Sequence, residues 1–293
     1  MSVKRIGVVG SGLMGAGIAQ CCAQAGMDVV LTDTSEAALS KGMKSIEWSV
    51  SKLAEKGKLT RGVSEIMDSI GPATDLEALA EVELVVEAVY ENLELKQEIF
   101  AALDRICASD TLLSTNTSAI PITELGAVTQ RPESVIGLHF FSPVPMMPVV
   151  EVVKGIATSQ AAVDTCMDFA RAMGKTPVRV ERDVPGFLLN RINLISYVEA
   201  IRLLESGIGT VEEIDAGVRL GFGRRMGPFE TGDMVGLDVS FGALTAIYNE
   251  SKDGRYYPPQ MLRRKVKAGQ LGRKTGKGWY SYGEDNARGE VKS

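Results

Sequence analysis

The sequence contains one histidine, His139, among its 293 residues. Imidazole is the side chain that exchanges a proton near neutral pH without a large change of environment. His139 follows an apolar run at 135–138, which predicts a buried strand, and it precedes a segment broken by three prolines. A histidine at such a strand end, facing a loop, lies where α/β folds place their chemistry. It is the first candidate for acid/base catalysis, and a half-buried histidine without function is the alternative.

Glu151 lies twelve residues after His139, within a second β pattern at 149–154. A carboxylate that orients a histidine and stabilises its imidazolium recurs in general-base catalysis. The two residues therefore form a candidate dyad for removing a proton from a substrate.

A dinucleotide-binding pattern lies near the start of the chain. A short strand at 4–9 leads directly into G-x-G-x-x-G, and helix periodicity follows at 14–25. The glycines permit a tight turn, close approach of a pyrophosphate, and close packing of helix on strand. The helix N-terminus adds N–H groups and a positive dipole. We predict cofactor contacts from the residues of this loop, which are Gly10, Ser11, Gly12, Leu13, Met14 and Gly15.

Asp33 follows the second predicted strand, at 28–32, and lies 18 residues after the last glycine of the loop. A carboxylate near this position accepts hydrogen bonds from the adenosine ribose. No lysine or arginine follows until Lys41, so a 2′-phosphate would meet a negative charge without a cation. The pattern favours NAD over NADP, and a surface aspartate in a βα turn is the alternative.

Two further segments carry polar side chains that could bind ligands. Asn116 and Ser118 belong to a cluster of small polar residues after a predicted strand at 111–114, and such clusters lie over the cofactor in this fold class. A turn-capping motif is the alternative for this cluster. A long helix at 36–56 and a second at 60–69 interrupt the Rossmann pattern. The lysines of these helices could face an anionic substrate, and they are Lys44, Lys52, Lys56 and Lys58. A solvated helix face is the commoner meaning of such spacing.

The length of the chain and its change of pattern predict two domains. Strand and helix patterns alternate up to about residue 183, and helix periodicity dominates from 184 onward. We therefore predict an α/β protein. Residues 1–183 form a Rossmann-type NAD-binding domain with a helical insertion, and 184–293 form an all-α substrate and dimerisation domain. The last ten residues are polar and predict a disordered tail.

Composition narrows the function classes. A net charge of −5 and a pI near 5.2 argue against nucleic-acid binding. No apolar run approaches the length of a membrane span, and the start shows no signal-peptide pattern, so we expect a cytoplasmic protein. The four cysteines have neither metal-ligand nor redox spacing, so we expect reduced thiols and no metal.

Six motifs occur together in one order: GSGLMG, EAVYENLELK, NTS, HFFSPVP with VVEVV, PGFLLNR and LGRKTGKGWY. In this combination the chain resembles the short-chain (S)-3-hydroxyacyl-CoA dehydrogenases over residues 4–282. The resemblance implies an NAD-dependent enzyme that interconverts (S)-3-hydroxyacyl-CoA, foremost 3-hydroxybutyryl-CoA, and 3-oxoacyl-CoA. It also implies a homodimer formed through the helical domain.

The resemblance assigns roles to individual residues. His139 would take the proton of the 3-hydroxyl group, with Glu151 as its partner. Ser118 and Asn190 would hydrogen-bond the substrate or the catalytic histidine. The implied NAD contacts are Asp33, Glu91, Lys96 and Lys274, and the implied contacts on the CoA side are Ser45 and Lys52. The family usually reads HFFNP, whereas this chain has Ser142 in place of that asparagine, near the nicotinamide.

Three other functions remain open at this point. One is a 3-hydroxyadipyl-CoA dehydrogenase of aromatic degradation, whose substrate carries a second carboxylate. Another is a 3-hydroxyisobutyrate-type dehydrogenase, which relies on a lysine and would leave the His/Glu pair unexplained. The last is a non-catalytic NAD-binding protein.

Overall fold

The computed structural model describes residues 3–283 and 288–289. The chain forms two compact units, Met1–Val184 and Pro185–Ser293. One cluster of buried apolar side chains lies wholly within the first unit, and another lies wholly within the second. Each unit therefore has a hydrophobic core of its own.

The first unit is built on an eight-stranded sheet. Its strands are β1 (Arg5–Val9), β2 (Asp28–Thr32), β3 (Ile70–Ala73), β4 (Leu84–Glu87), β5 (Leu112–Thr115), β6 (Val135–Phe140), β7 (Val149–Lys154) and β8 (Thr176–Val180). They lie in the order β3-β2-β1-β4-β5-β6-β7-β8, and all neighbours are parallel except β6 and β7. The chain passes from β1 to β2 and β3 on one side and continues with β4 on the other. Such a switch point forms the ligand crevice of doubly wound sheets.

The first unit also contains α-helices. They are α1 (Leu13–Gln24), α2 (Glu36–Glu55), α3 (Val63–Asp68), α4 (Leu93–Ile106), α5 (Ile122–Gly126) and α6 (Gln160–Ala172). Helix α2 packs against α1 and α3. The longest, α2, begins where the Ser35 hydroxyl accepts a hydrogen bond from Ala38 N. Its buried residues recur every three or four positions, which turns one stripe to the core: Leu39, Gly42, Ile46 and Val50.

The second unit is helical. Its elements are α7 (Leu189–Glu205), α8 (Val211–Phe222), α9 (Pro228–Val235), α10 (Leu237–Ser251), α11 (Gln260–Lys267), β9 (Ser281–Tyr282) and β10 (Arg288–Gly289). The Rossmann-type unit followed by a helical unit confirms the predicted fold class.

The boundaries of individual elements differ in part from the sequence pattern. The helix expected from 184 begins at Leu189, because Gly186 and Phe187 have left-handed backbone angles, φ +78° and +44°. Helices α9 and α10 are separated at Gly236, which has φ +108°. Strand β3 was not predicted. Apart from β10, the predicted tail lies outside the described residues.

All four cysteines are free and buried, and burial raises the pKa of the Cys166 thiol to about 12. Within the described residues, no helix has both the length and the apolar character needed to span a bilayer. The same residues contain no cluster of three His, Cys, Asp or Glu side chains arranged to hold a metal.

Candidate active site

His139 and Glu151 face each other across the only antiparallel pairing of the described eight-stranded sheet, in direct register. Directly opposed residues project to the same face of a sheet, so the register alone brings the side chains together. Nδ1 of His139 lies 2.6 Å from Oε2 of Glu151. His139 is 5% exposed and Glu151 is fully buried. A charge-assisted hydrogen bond in such a dry setting fixes the imidazole ring.

His139 is the fifth of the six residues of β6, so it lies at the end of a strand, as the sequence pattern predicts. Neighbouring groups hold this strand end in place. The Phe141 ring lies 4.5 Å from the imidazole, centroid to centroid. Asn116 Oδ1 accepts a hydrogen bond from Phe140 N at 2.9 Å, and Asn116 N donates to Glu87 O at 2.7 Å. Asn116 therefore links the ends of β4, β5 and β6.

The glycine loop has the geometry that its sequence predicts. Gly10 has φ +99°, and a Cβ there would lie 2.8 Å from the Ala88 carbonyl oxygen. A Cβ on Gly15 would collide with the Gly10 carbonyl group. Apart from its own chain neighbours, no atom of the described residues lies within 4 Å of the position of a Gly12 Cβ, so the backbone there is open to a close ligand.

Asp33 is hydrogen-bonded to this loop. Its Oδ2 accepts from Ser11 N at 2.9 Å and from Ser11 Oγ at 2.8 Å. Helix α2 packs closely against Ser11, because a Cβ on Gly42 would lie 2.7 Å from Ser11 O. The carboxylate predicted to bind ribose thus also orders the phosphate-binding loop.

A buried ion pair lies at the ends of β4 and β5. Lys96 Nζ is 2.6 Å from Glu87 Oε1, and the two side chains are 1% and 0% exposed. Glu87 also accepts hydrogen bonds from Val89 N and from Thr115 Oγ1, both at 2.7 Å. No role was predicted for Glu87, although an acid that ends an apolar strand nine residues before a lysine was a visible signal.

Glu91 orders the turn that carries Ser118. Its Oε1 accepts from Thr117 Oγ1 at 2.5 Å, from Ser118 N at 3.0 Å and from Ala119 N at 3.2 Å. Its Oε2 lies 3.5 Å from Lys96 Nζ. Glu91, Lys96, Asn116 and Ser118 therefore belong to one network at the carboxyl edge of the sheet.

Other predicted site residues of the first unit lie on its surface. Ser142 is exposed and precedes Pro143 through a cis peptide bond. Ser45 and Lys52 are on the exposed face of α2, where Lys52 pairs with Glu55 at 2.8 Å.

Two predicted site residues belong to the second unit. Asn190 is the second residue of α7 and is half-buried. Lys274 Nζ lies 2.6 Å from Asp238 Oδ1, and both side chains are partly exposed.

The glycine-rich segment that carries Lys274 wraps around the buried carboxylate of Asp233. That carboxylate accepts hydrogen bonds from Trp279 N at 2.8 Å, Tyr280 N at 2.9 Å and the Tyr282 hydroxyl at 2.9 Å. Burial raises the pKa of Asp233 above its ordinary range, although these hydrogen bonds act in the opposite direction. The glycines of this segment therefore serve the packing of the second unit.

The residues of the first unit fit a dinucleotide. An open Gly12, the N-terminus of α1 and a carboxylate beside the loop are the features that accept a pyrophosphate and a ribose. Together with a buried His–Glu dyad, they define the class of dehydrogenases that pair a nicotinamide cofactor with a protein base.

Comparisons with known proteins identify the family. The model of the 3-hydroxyacyl-CoA dehydrogenase NAD binding domain matches residues 5–184, and that of the C-terminal domain matches 186–282. The chain belongs to the 3-hydroxyacyl-CoA dehydrogenase family. This confirms the predicted resemblance, the enzyme class and NAD as the cofactor, and it supports none of the alternatives.

Individual relatives match over nearly their full length. A probable 3-hydroxybutyryl-CoA dehydrogenase of Bacillus subtilis (strain 168) is 42% identical, covering 97% of this chain and 99% of the relative. The 3-hydroxybutyryl-CoA dehydrogenase of Clostridioides difficile is 40% identical, covering 95% and 99%. The crystal structure of (S)-3-hydroxybutyryl-CoA dehydrogenase from Ralstonia eutropha has a TM-score of 0.93 at 39% identity, covering 97% and 100%.

Proposed function

We propose that this enzyme interconverts (S)-3-hydroxybutyryl-CoA and acetoacetyl-CoA with His139 as general base and acid. The observation that carries the proposal is the 2.6 Å contact between His139 Nδ1 and Glu151 inside the sheet. The names of the similar 3-hydroxybutyryl-CoA dehydrogenases support this substrate.

In the oxidative direction, the 3-hydroxyl group donates its proton to His139 as the C3 hydride leaves. Because Nδ1 is engaged by Glu151, we assign the proton transfer to Nε2. Glu151 stabilises the imidazolium that forms, and positioned base catalysis contributes roughly 10² to 10⁴-fold. Bound NAD supplies the hydride acceptor. In the reverse direction the protonated His139 donates to the 3-oxo group.

The other predicted residues have supporting roles in this proposal. Ser118 and Asn190 hydrogen-bond the substrate oxygen or the histidine. The residues that would hold NAD are those of the glycine loop together with Asp33, Glu91, Lys96, Asn116, Ser142 and Lys274. Two hydrogen bonds support these assignments. Asp33 accepts one from Ser11 N, and Glu91 accepts one from Ser118 N.

The test is a spectrophotometric assay of acetoacetyl-CoA reduction. We expect NADH oxidation that depends on the thioester, with NADH strongly preferred over NADPH because Asp33 has no nearby cation in the sequence. Acyl chains from C4 to C16 and a substrate with a terminal carboxylate measure the preference. Absence of reduction with every thioester would refute the proposal.

We also propose a homodimer formed through the helical unit. Large apolar side chains are exposed there, at Ile208 (72%), Leu220 (86%) and Phe222 (77%). Such side chains are typical of a protein interface, because burying them against a second copy removes apolar area from water.

Light scattering after size exclusion tests this assembly. The wild type should have twice the chain mass of 31.4 kDa, and Leu220→Glu with Phe222→Glu should lower the mass toward one chain. The matched control is Ile156→Glu, which places the same charge at an 87% exposed site of the first unit. A wild-type protein with the mass of one chain would contradict the dimer.

A further inference from the structure

A groove in the first unit is lined by residues that have no part in the candidate active site. Its volume is about 560 Å³, which is in the range of small-molecule sites. Its walls come from the end of α1, the connection between α2 and α3, the segment between β6 and β7, and the turn that follows α6. None of the lining residues is a predicted contact of the cofactor or of the thioester. The groove is therefore a second candidate binding site.

The lining combines apolar and cationic side chains. Three of the apolar side chains are the methionines Met146, Met147 and Met173, and Met146 is 60% exposed. Methionine side chains adapt to ligands of different shape, which is why they are frequent on binding surfaces. The cations are Arg61 and Lys175, and the described residues of the lining include no acid. A chain with a net charge of −5 thus presents a groove that attracts an anion.

Lys175 connects this groove to the segment that joins the two strands of the dyad. Its Nζ donates to Val144 O at 2.7 Å and to Met147 O at 2.9 Å, and the Cys21 thiol is a further hydrogen-bonding neighbour. Arg61, by contrast, already has an acidic partner. A carboxylate attracts an ammonium group more strongly than a carbonyl or a thiol does, because both partners then carry a charge. Lys175 is therefore the cation that an anionic ligand would engage.

We propose that the groove binds a small amphipathic carboxylate, such as octanoate, with its carboxylate on Lys175 and its chain against the methionines. Burial of the chain favours binding in proportion to the apolar area removed from water. The charge of the carboxylate draws Lys175 away from the carbonyl groups that it holds in the unliganded protein. The groove thereby acts on the segment between β6 and β7.

Occupation of the groove weakens cofactor binding in this proposal. The segment 141–148 contains Ser142, a residue that we propose as an NAD contact, and Phe141, whose ring lies 4.5 Å from the imidazole of His139. Loss of the Lys175 hydrogen bonds loosens this segment, so NADH binds less tightly. Coupling between two sites is reciprocal, so NADH also weakens the binding of the carboxylate.

Isothermal titration with octanoate tests the site. We expect octanoate to bind, and a saturating concentration to raise the Kd of NADH about fivefold. Octanol keeps the chain without the charge, and acetate keeps the charge without the chain, so neither should change the Kd of NADH. Absence of octanoate binding, or an equal effect of octanol, would overturn the proposal.

Two variants locate the ligand. Met146→Glu places an acid in the groove at an exposed position, so it should abolish the response to octanoate at a wild-type Kd for NADH. The matched control is Ile156→Glu, which places the same charge at an 87% exposed apolar residue and should respond as the wild type does. Lys175→Met lacks the ammonium group, so its Kd for NADH should already be about fivefold higher and insensitive to octanoate.

A response to octanoate that survives in Met146→Glu would place the ligand elsewhere and overturn the proposal, whether or not Lys175→Met folds. A chain mass that falls in Met146→Glu and not in Ile156→Glu would assign the groove to a second copy of the chain, which would also overturn it. All of these measurements follow binding and mass. A failure of the proposed function, which is measured by turnover, is therefore distinguishable from a failure of this inference.

Discussion

At the scale of residues, the chemistry depends on a strand register. His139 and Glu151 lie opposite each other in antiparallel strands, and both are almost completely shielded from water. The carboxylate is therefore a partner held by the sheet, independent of any loop conformation. The first prediction concerns the charge of that partner.

Glu151→Gln keeps the size of the side chain and a hydrogen-bonding oxygen but removes the charge that stabilises the imidazolium. We expect kcat to fall about tenfold, because a hydrogen bond to a charged group exceeds a neutral one by roughly 1 to 1.5 kcal/mol. His139→Gln should remove nearly all turnover, by roughly 10² to 10⁴-fold. Steady-state kinetics measure both losses, and NADH titration should show unchanged cofactor affinity. An unchanged kcat in Glu151→Gln would exclude this carboxylate as the partner.

Ser142 is the residue at which the chain departs from its family's usual motif. Serine is shorter than asparagine, so we expect that a direct contact to the cofactor or the active-site backbone is replaced by water or lost. A neutral hydrogen bond contributes about 1 kcal/mol, which is roughly fivefold in an equilibrium constant. We expect Ser142→Asn to stay active and to bind NADH a few-fold more tightly. NADH dissociation constants and acyl-chain profiles measure this, and loss of activity on every substrate with the fold intact would contradict it.

At the scale of elements, the ends of β4 and β5 are held by the buried pair of Glu87 and Lys96. Glu87→Gln removes the nearer of two carboxylates from the ammonium group of Lys96, whose side chain is 1% exposed, and leaves Glu91 at 3.5 Å. Breaking one side of a buried pair costs about 3 to 5 kcal/mol, and the remaining carboxylate places the expected loss at the lower end of that range. We therefore expect a lower urea midpoint at an unchanged slope.

The double variant Glu87→Gln with Lys96→Met is the matched control. Since it removes both charges, most of the lost stability should return, although the contact to NAD that we propose for Lys96 would be absent. A single variant as stable as the wild type would mean that the pair is not essential to this edge of the sheet.

The sequence predicted the elements that have strong periodicity or a glycine signature. The strands β1, β2 and β7 and the helix α2 lie within a residue or two of their expected limits. Strand β3 was missed because it contains Gly71 and Pro72, which disfavour strand structure in general. Pro72 is tolerated because β3 is an edge strand, where a missing N–H group need not serve a second neighbour.

The candidate site could be predicted only where local sequence spacing determines it. The glycine loop, Asp33 and the dyad follow from local spacing and residue type. The antiparallel orientation of β7 and the partnership of Glu87 with Lys96 depend on tertiary packing, which no local pattern encodes. The start of α7 was misplaced because Phe187, a residue that rarely adopts positive φ, takes φ +44°.

At the scale of the whole molecule, the domain limits of 1–183 and 184–293 stay a prediction. If they are right, each domain should fold independently. The first unit contains its complete sheet, its own core cluster and every predicted NAD residue except Lys274. The fragment 1–184 should therefore fold, with a cooperative thermal transition, and bind NADH without reducing acetoacetyl-CoA.

The comparison of this fragment with full-length Lys274→Ala measures what the second unit contributes to cofactor binding. Lys274 pairs with Asp238 in a partly exposed setting, so the contact to NAD that we propose for it should contribute about 1 kcal/mol, or roughly fivefold in affinity. We expect the fragment and the Lys274→Ala enzyme to bind NADH with similar dissociation constants, each roughly fivefold above that of the wild type. Isothermal titration with NADH gives all three values. A folded fragment that binds NADH far more weakly than Lys274→Ala would show that other residues of the second unit hold the cofactor. A Lys274→Ala enzyme with wild-type affinity would remove Lys274 from the cofactor site.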